Sequence, residues 1–170
     1  RKQGSILQGH PDMKYIPGVD MSSGSLGQGI SCAVGMALSA KHFGNDFKVY
    51  AVLGDGEIEE GQVWEAAMFA ANKGLSNLTV FVDFNNLQID GTIAEVNSPE
   101  PIDKKFESFG FNVLVIDGHN FTFSICTASR GTFPCAQNIS PFSSVRLRIG
   151  SPLISPTTAM RLFSHAYAFP

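Results

Sequence analysis

Two short loops, each closing an apolar run of strand length, constrain this chain more than any other feature. Lys48 to Leu53 runs into Gly54-Asp55-Gly56, and Leu78 to Asp83 runs into Asn85-Asn86-Leu87. Between them lies Glu59 to Lys73, with Val63, Trp64, Ala67, Met68 and Ala71 at helical spacing. A strand, a helix and a strand of these lengths close as a right-handed crossover, with the two strands parallel. Asp55 and Asn85, thirty residues apart, then share the carboxyl edge of one sheet, where open α/β sheets bind ligands. Two hard oxygen donors converging there point to Mg2+ or Ca2+, with a phosphate held through the ion.

A dinucleotide site is the rival reading, because glycines directly after a strand also cradle pyrophosphate. The Gly-x-Gly-x-x-Gly fingerprint needs glycine at position 59, where this chain has Glu59. Asp55, Glu57, Glu59 and Glu60 crowd four carboxylates into six residues and would repel a bare pyrophosphate. A cation between them removes the conflict. Taken singly, Glu57 and Glu59 also fit the ordinary acidic preference of a helix's first turn. That does not account for Asp55 between two glycines.

The remaining punctuation is consistent with the same architecture. Tyr15-Ile-Pro17-Gly18 reads as a turn, and Ser22-Ser23-Gly24 precedes a helix from about Leu26 to His42. Ile30, Val34, Ala37, Leu38 and Lys41 keep helical spacing there, and Gly44-Asn45 supplies its C-terminal cap. Pro101 to Phe109 reads as a short helix and Phe111 to Ile116 as a further strand. The spacing predicts three to four parallel strands with covering helices and no internal repeat.

Four blocks now stand in order: Gly9-His10-Pro11-Asp12, Gly24-Ser-Leu-Gly-Gln-Gly29, Gly54-Asp-Gly-Glu-Ile-Glu-Glu-Gly61 and Asp83-Phe-Asn-Asn-Leu-Gln-Ile-Asp-Gly91. Together they resemble the thiamine diphosphate-binding N-terminal part of transketolases. Glu60-Gly-Gln-Val-Trp-Glu-Ala-Ala67 is closest to the split bacterial and archaeal type, in which this part is a separate subunit. The resemblance covers about residues 3 to 120 without a gap. It implies an α/β fold, a three-layer, mostly parallel thiamine diphosphate-binding sheet, here incomplete.

The resemblance also implies roles. Asp55 and Asn85 side-chain oxygens and the Leu87 backbone carbonyl would ligate Mg2+, with Ca2+ or Mn2+ as substitutes. Two diphosphate oxygens and a water would complete the octahedron that Mg2+ demands. Gly54 and Gly56 flank Asp55 and with Asp55 and Asn85 would bind the cofactor, while Asn86 stabilises the asparagine turn rather than ligating. Gly24, Ser25 and Leu26 match the segment that lines the aminopyrimidine through backbone contacts. Many relatives have proline at the place of Ser25. His10 matches a histidine facing the thiazolium and substrate, suited to proton transfer near neutrality. Glu60 matches a glutamate in a carboxylate network at a dimer interface. Trp64, Met68 and Cys32 read as core, and Asp90 as a capping carboxylate. The glutamate that activates the aminopyrimidine belongs to another, pyrimidine-binding domain or C-terminal subunit, so a dimer or heterotetramer acting on sugar phosphates is implied.

Composition bounds the reading and divides the chain. The charge is slightly acidic, so nothing points to nucleic acid, and no apolar run is long enough to span a membrane. Three cysteines, Cys32, Cys126 and Cys135, lack metal-ligand spacing and fit a reducing, cytoplasmic compartment. All fifteen acidic residues lie before position 118, which leaves residues 1–120 formally −7 and residues 121–170 at +4. The latter stretch carries six phenylalanines and the breaks Ser140-Pro141, Ser151-Pro152 and Ser155-Pro156. Residues 1–120 are therefore expected to form a partial cofactor domain. Residues 121–170 are expected to be an atypical, irregular tail, disordered or read out of frame, with family-like order ending near Asn120. The opening, which lacks an initiator Met, reads as a fragment. Two other classes stay open: a 2-oxoacid dehydrogenase or decarboxylase using the same cofactor, and a non-functional truncated product.

Overall fold

A computed structural model describes residues 3–116 and 144–147. After an irregular opening, helix α1 (Gln28–Phe43) leads into strand β1 (Val49–Gly54). A 3-10 turn (Glu57–Glu59) and helix α2 (Gly61–Asn72) return the chain to strand β2 (Leu78–Phe84). A small hairpin of β3 (Leu87–Gln88) and β4 (Gly91–Thr92) follows, then helices α3 (Ile93–Val96) and α4 (Ile102–Ser108). Strands β5 (Leu114–Ile116) and β6 (Ser144–Leu147) complete the main sheet.

The crossover is as expected. β1 and β2 pair in parallel, in a register that sets Val49 beside Leu78 and Gly54 beside Asp83. Alternation decides which side is buried: Val49 and Leu53 share a face with Leu78, Val80, Val82 and Phe84, all in the core. The helices cover that face with small residues. Ala33, Ala37 and Ala40 of α1 and Ala66, Ala67 and Ala70 of α2 are all buried. Trp64 packs its ring 5.1 Å from Phe106, which brings α4 onto α2. On the opposite face Tyr50 and Val52 remain about half exposed (49% and 46%), so among the described residues the sheet is covered on one side. Gly44, in the left-handed region at φ 71, closes α1 with its N–H on the Ala40 carbonyl.

Four details differ from the sequence expectations. The first is β6, which lies between β2 and β5 and is antiparallel to both. Three of the four strands still point one way, but a piece of the stretch expected to be irregular joins the sheet. Its sequence, Ser144 to Leu147, is the part that escapes the serine–proline breaks, so its backbone can complete a ladder. Residues 117–143 and 148–170, with the expectations placed on them, lie outside the described residues.

The second and third differences concern core assignments. Cys32 and Met68 are exposed, Met68 at 54%, because α1 and α2 are apolar around much of their circumference and periodicity alone does not select the buried stripe. The fourth is the cap after the hairpin. Thr92 and Glu95, not Asp90, form the capping box: Glu95 N–H reaches Thr92 Oγ1 at 3.3 Å, and Glu95 Oε2 accepts from Thr92 N–H at 3.1 Å. Among the described residues no helix is long and apolar enough to cross a membrane.

Candidate functional site

The crossover delivers the two motif loops to one sheet edge. Asp55 follows β1 directly and is buried, 1% exposed, the only buried polar or charged residue among those described. Its N–H donates to the Asp83 carbonyl at 3.1 Å, extending the β1–β2 ladder by one bond. Its carboxylate is held by backbone donors from both loops: Oδ1 accepts the Gly56 N–H at 2.9 Å, and Oδ2 accepts the Asn86 N–H at 2.6 Å. Burial raises the Asp55 carboxyl above its ordinary value of 3.8. The Asn86 and Gly56 N–H groups pull the other way, and the nearby Asp83 charge adds to the rise. A cation placed against this carboxylate would offset the cost of burying it.

The second loop is shaped by its asparagines. Asn86 adopts φ 63, a left-handed conformation that asparagine tolerates, and this turns its N–H toward Asp55. Asn85 Oδ1 accepts the Leu87 N–H at 2.8 Å, and its Nδ2 donates to Asp83 Oδ2 at 3.2 Å. Asn85 thus sets its amide oxygen toward the turn and its amide nitrogen toward the Asp83 carboxylate, an oxygen donor that carries no charge. Leu87 opens β3 and is half exposed. The Ile93 N–H donates to the Asn86 carbonyl at 3.2 Å and ties the loop to α3.

Two further predicted positions meet at the other end of the site. A Cβ on Gly24 would lie 3.1 Å from the His10 ring, so this glycine lets the imidazole lie against the backbone. Gly24, Ser25 and Leu26 are exposed, as is His10. Gly24 and Ser25 line an open groove of about 390 Å3 with Met21, Gln28 and Cys32. Glu60 is exposed at the N-terminus of α2, against Gly27.

Glu57 is the residue that sequence reasoning undervalued. Its carboxylate bridges the Gly27 N–H (3.0 Å) and the Gly54 N–H (3.1 Å). No local signal could reveal this, since Gly27 lies thirty residues back. Glu59 is also engaged, accepting from Gln88 Nε2 at 2.8 Å, while its Oε1 is buried with no partner among the described residues.

The donor set suits a hard cation and a diphosphate. Among the described residues no three His, Cys, Asp or Glu side chains come together to hold a metal. One buried carboxylate, one amide oxygen and one backbone carbonyl would leave coordination positions for phosphate oxygens, as Mg2+ prefers. Gly56 lets the Gln88 side chain pack directly against this loop: a Cβ there would lie 2.7 Å from Gln88 Cγ.

The Gly54–Gly56 loop and the asparagine turn thus meet at the carboxyl edge of the parallel strands, the place where open α/β sheets bind ligands. The chain matches the family described as transketolase, thiamine diphosphate binding domain, over residues 1–138, and it belongs to that family. It is 50% identical over 121 residues to 6-deoxy-6-sulfo-D-fructose transketolase subunit SqwG of Clostridium sp. (strain MSTE9), covering 70% of this chain and 43% of that protein. It is 45% identical over 115 residues to one of the subunits of the apulose-4-phosphate transketolase of Phocaeicola vulgatus, covering 68% of this chain and 41% of the relative. Among solved structures, transketolase from Campylobacter jejuni superposes with a TM-score of 0.63 at 35% identity, over 72% of this chain and 20% of that one. The chain spans less than half the length of these relatives. The matched region passes Asn120, where family-like order was expected to stop.

Proposed function

We propose that this chain supplies the diphosphate-binding half of a Mg2+-dependent transketolase that moves a two-carbon ketol unit between sugar phosphates. The observation that carries the reading is Asp55, a buried carboxylate whose two oxygens are fixed by the metal loop and the asparagine loop together. Asp55, Asn85 and the Leu87 carbonyl would hold Mg2+, and Gly54 and Gly56 would admit the diphosphate. Gly24, Ser25 and Leu26 would line the aminopyrimidine. Bound thiamine diphosphate supplies a stabilised carbanion for attack on a ketose carbonyl. His10, lying against Gly24, would exchange protons with the donor's hydroxyl groups, and Glu60 would join a carboxylate network at a subunit interface.

A partner is part of this function. Relatives of similar sequence are named as transketolase subunits, which supports assembly with a pyrimidine-binding domain or C-terminal subunit, in a dimer or heterotetramer. On its own the chain would bind cofactor without turnover, in the cytoplasm.

The experiment is cofactor titration by calorimetry with and without Mg2+, followed by assays with the partner subunit present. The acceptor panel pairs aldose phosphates with phosphorylated and sulfonated ketose donors, since the relatives' names span both chemistries. Magnesium-dependent binding and ketol transfer support the reading. Turnover of 2-oxoacids in place of ketoses would replace it with a dehydrogenase or decarboxylase role. Absence of magnesium-dependent binding would leave a non-functional product.

A further inference from the structure

Glu57 opens the 3-10 turn behind Gly56, and its carboxylate spans two loops that are distant in sequence. Oε1 accepts the N–H of Gly27, the buried residue that ends the Gly24–Leu26 turn and caps the N-terminus of α1. Oε2 accepts the N–H of Gly54, the last residue of β1 and the one before Asp55. A planar group with both oxygens committed to backbone donors sets the distance between those donors. Charge strengthens both bonds, and the start of the sixteen-residue α1 favours an anion at that place. Gly27 is held from a second side as well. It sits at φ 79, and a Cβ there would lie 2.9 Å from the Glu60 Cβ.

The following rests on the proposed function, in which the Gly24–Leu26 turn faces the aminopyrimidine and Asp55 faces the diphosphate through a metal. We propose that Glu57 is a positioning residue, its bridging carboxylate holding the two loops at the separation that one thiamine diphosphate molecule spans. Pyrophosphate with Mg2+ engages the metal loop alone and does not depend on that separation. The whole cofactor engages both loops and does. Preorganisation of this kind shows in affinity as a smaller ordering cost on binding.

The test compares the two ligands on the full chain assembled with a pyrimidine-binding transketolase subunit. Mg2+–thiamine diphosphate and Mg2+–pyrophosphate are titrated by calorimetry into wild type, Glu57→Gln and Asp55→Ala. Glutamine keeps the shape but sets an amide N–H2 against one of the two backbone donors, so one arm of the bridge is lost. The expected result is a loss of about tenfold in thiamine diphosphate affinity, with pyrophosphate affinity held within about twofold. Equal weakening of both ligands, or no weakening of either, would overturn the positioning role. Should Glu57→Gln fail to assemble, Glu57→Asp keeps the charge and shortens the reach, and it is judged by the same ratio. A wild-type complex that binds neither ligand, or an Asp55→Ala variant that binds both normally, would overturn the functional reading itself and the proposal with it.

Discussion

Asn86 donates its backbone N–H to Oδ2 of Asp55 at 2.6 Å, so the loop after β2 holds the carboxylate that follows β1. The contact uses the Asn86 main chain, not its side chain, and it depends on the left-handed conformation at φ 63. Two loops that would hold a metal jointly are therefore already joined by a direct bond.

That relationship separates the Asp55 carboxylate from the Asn86 side chain by mutation. Asp55→Ala should abolish magnesium-dependent thiamine diphosphate binding in the assembled complex. Asn86→Gly, which keeps the N–H and the left-handed turn, should leave affinity within about threefold, because glycine meets no steric penalty there. Calorimetry reads both, and equal losses would show that the Asn86 side chain is the ligand.

His10→Ala should change cofactor affinity little and lower ketol transfer in the assembled enzyme. General acid–base groups contribute about a hundred- to ten-thousand-fold to rate. Full activity in the variant would reduce His10 to a loop residue resting on Gly24.

Gly27→Ala tests the buried N-terminus of α1. The left-handed conformation costs a non-glycine residue about 1–2 kcal/mol, and the added methyl would meet the Glu60 Cβ at 2.9 Å. A stability loss of about 2 kcal/mol or more is expected in urea unfolding, with an unchanged denaturant slope. A neutral substitution would mean that the turn opens freely.

Val145→Pro probes the antiparallel strand between β2 and β5. Val145 pairs with Asp83 on one side and Ile116 on the other, and proline removes a ladder N–H from a strand with neighbours on both sides. Loss of that hydrogen bond should lower stability by about 1–3 kcal/mol. Unchanged stability would take residues 144–147 out of the sheet.

The Thr92–Glu95 box gives a pH signature. Hydrogen bonds from the Thr92 hydroxyl and backbone N–H hold the exposed Glu95 carboxyl below its ordinary value of 4.5. A lowered folded-state value means that the cap supports α3 above 4.5 and is lost as pH falls through the folded-state titration. NMR titration of Glu95 should give a midpoint below 4.5, and Thr92→Val should move it back up.

Much of this was legible in the sequence because it is periodic. β1, α2 and β2 fall within a residue or two of the expected bounds, since strand and helix spacing in this region leave one arrangement for the crossover. The meeting of Asp55 with the Asn85–Asn86 loop follows from that topology alone. What escaped was long-range or circumferential. The Glu57 bridge joins positions thirty residues apart, and nothing near Glu57 announces Gly27. The exposure of Cys32 and Met68 reflects helices apolar on more than one side, where periodicity does not choose the buried stripe. β6 was hidden because proline breaks around it signalled an irregular chain, while a strand with neighbours on both sides needs only four clean residues.

The register that sets Gly54 beside Asp83 reaches beyond this one chain. Parallel strands present their ends side by side whatever the crossover between them contains, and added loop length costs little. A turn gained or lost in α2 would leave Asp55 next to Asn86. One residue removed from inside β1 or β2 would instead flip the alternation and carry the motif to the other face. Among diverged chains of this fold, the interval separating the two motifs can therefore drift while the offset of each motif from its own strand end cannot. Searches for the site in distant sequences are better anchored on those two strand ends than on any fixed gap.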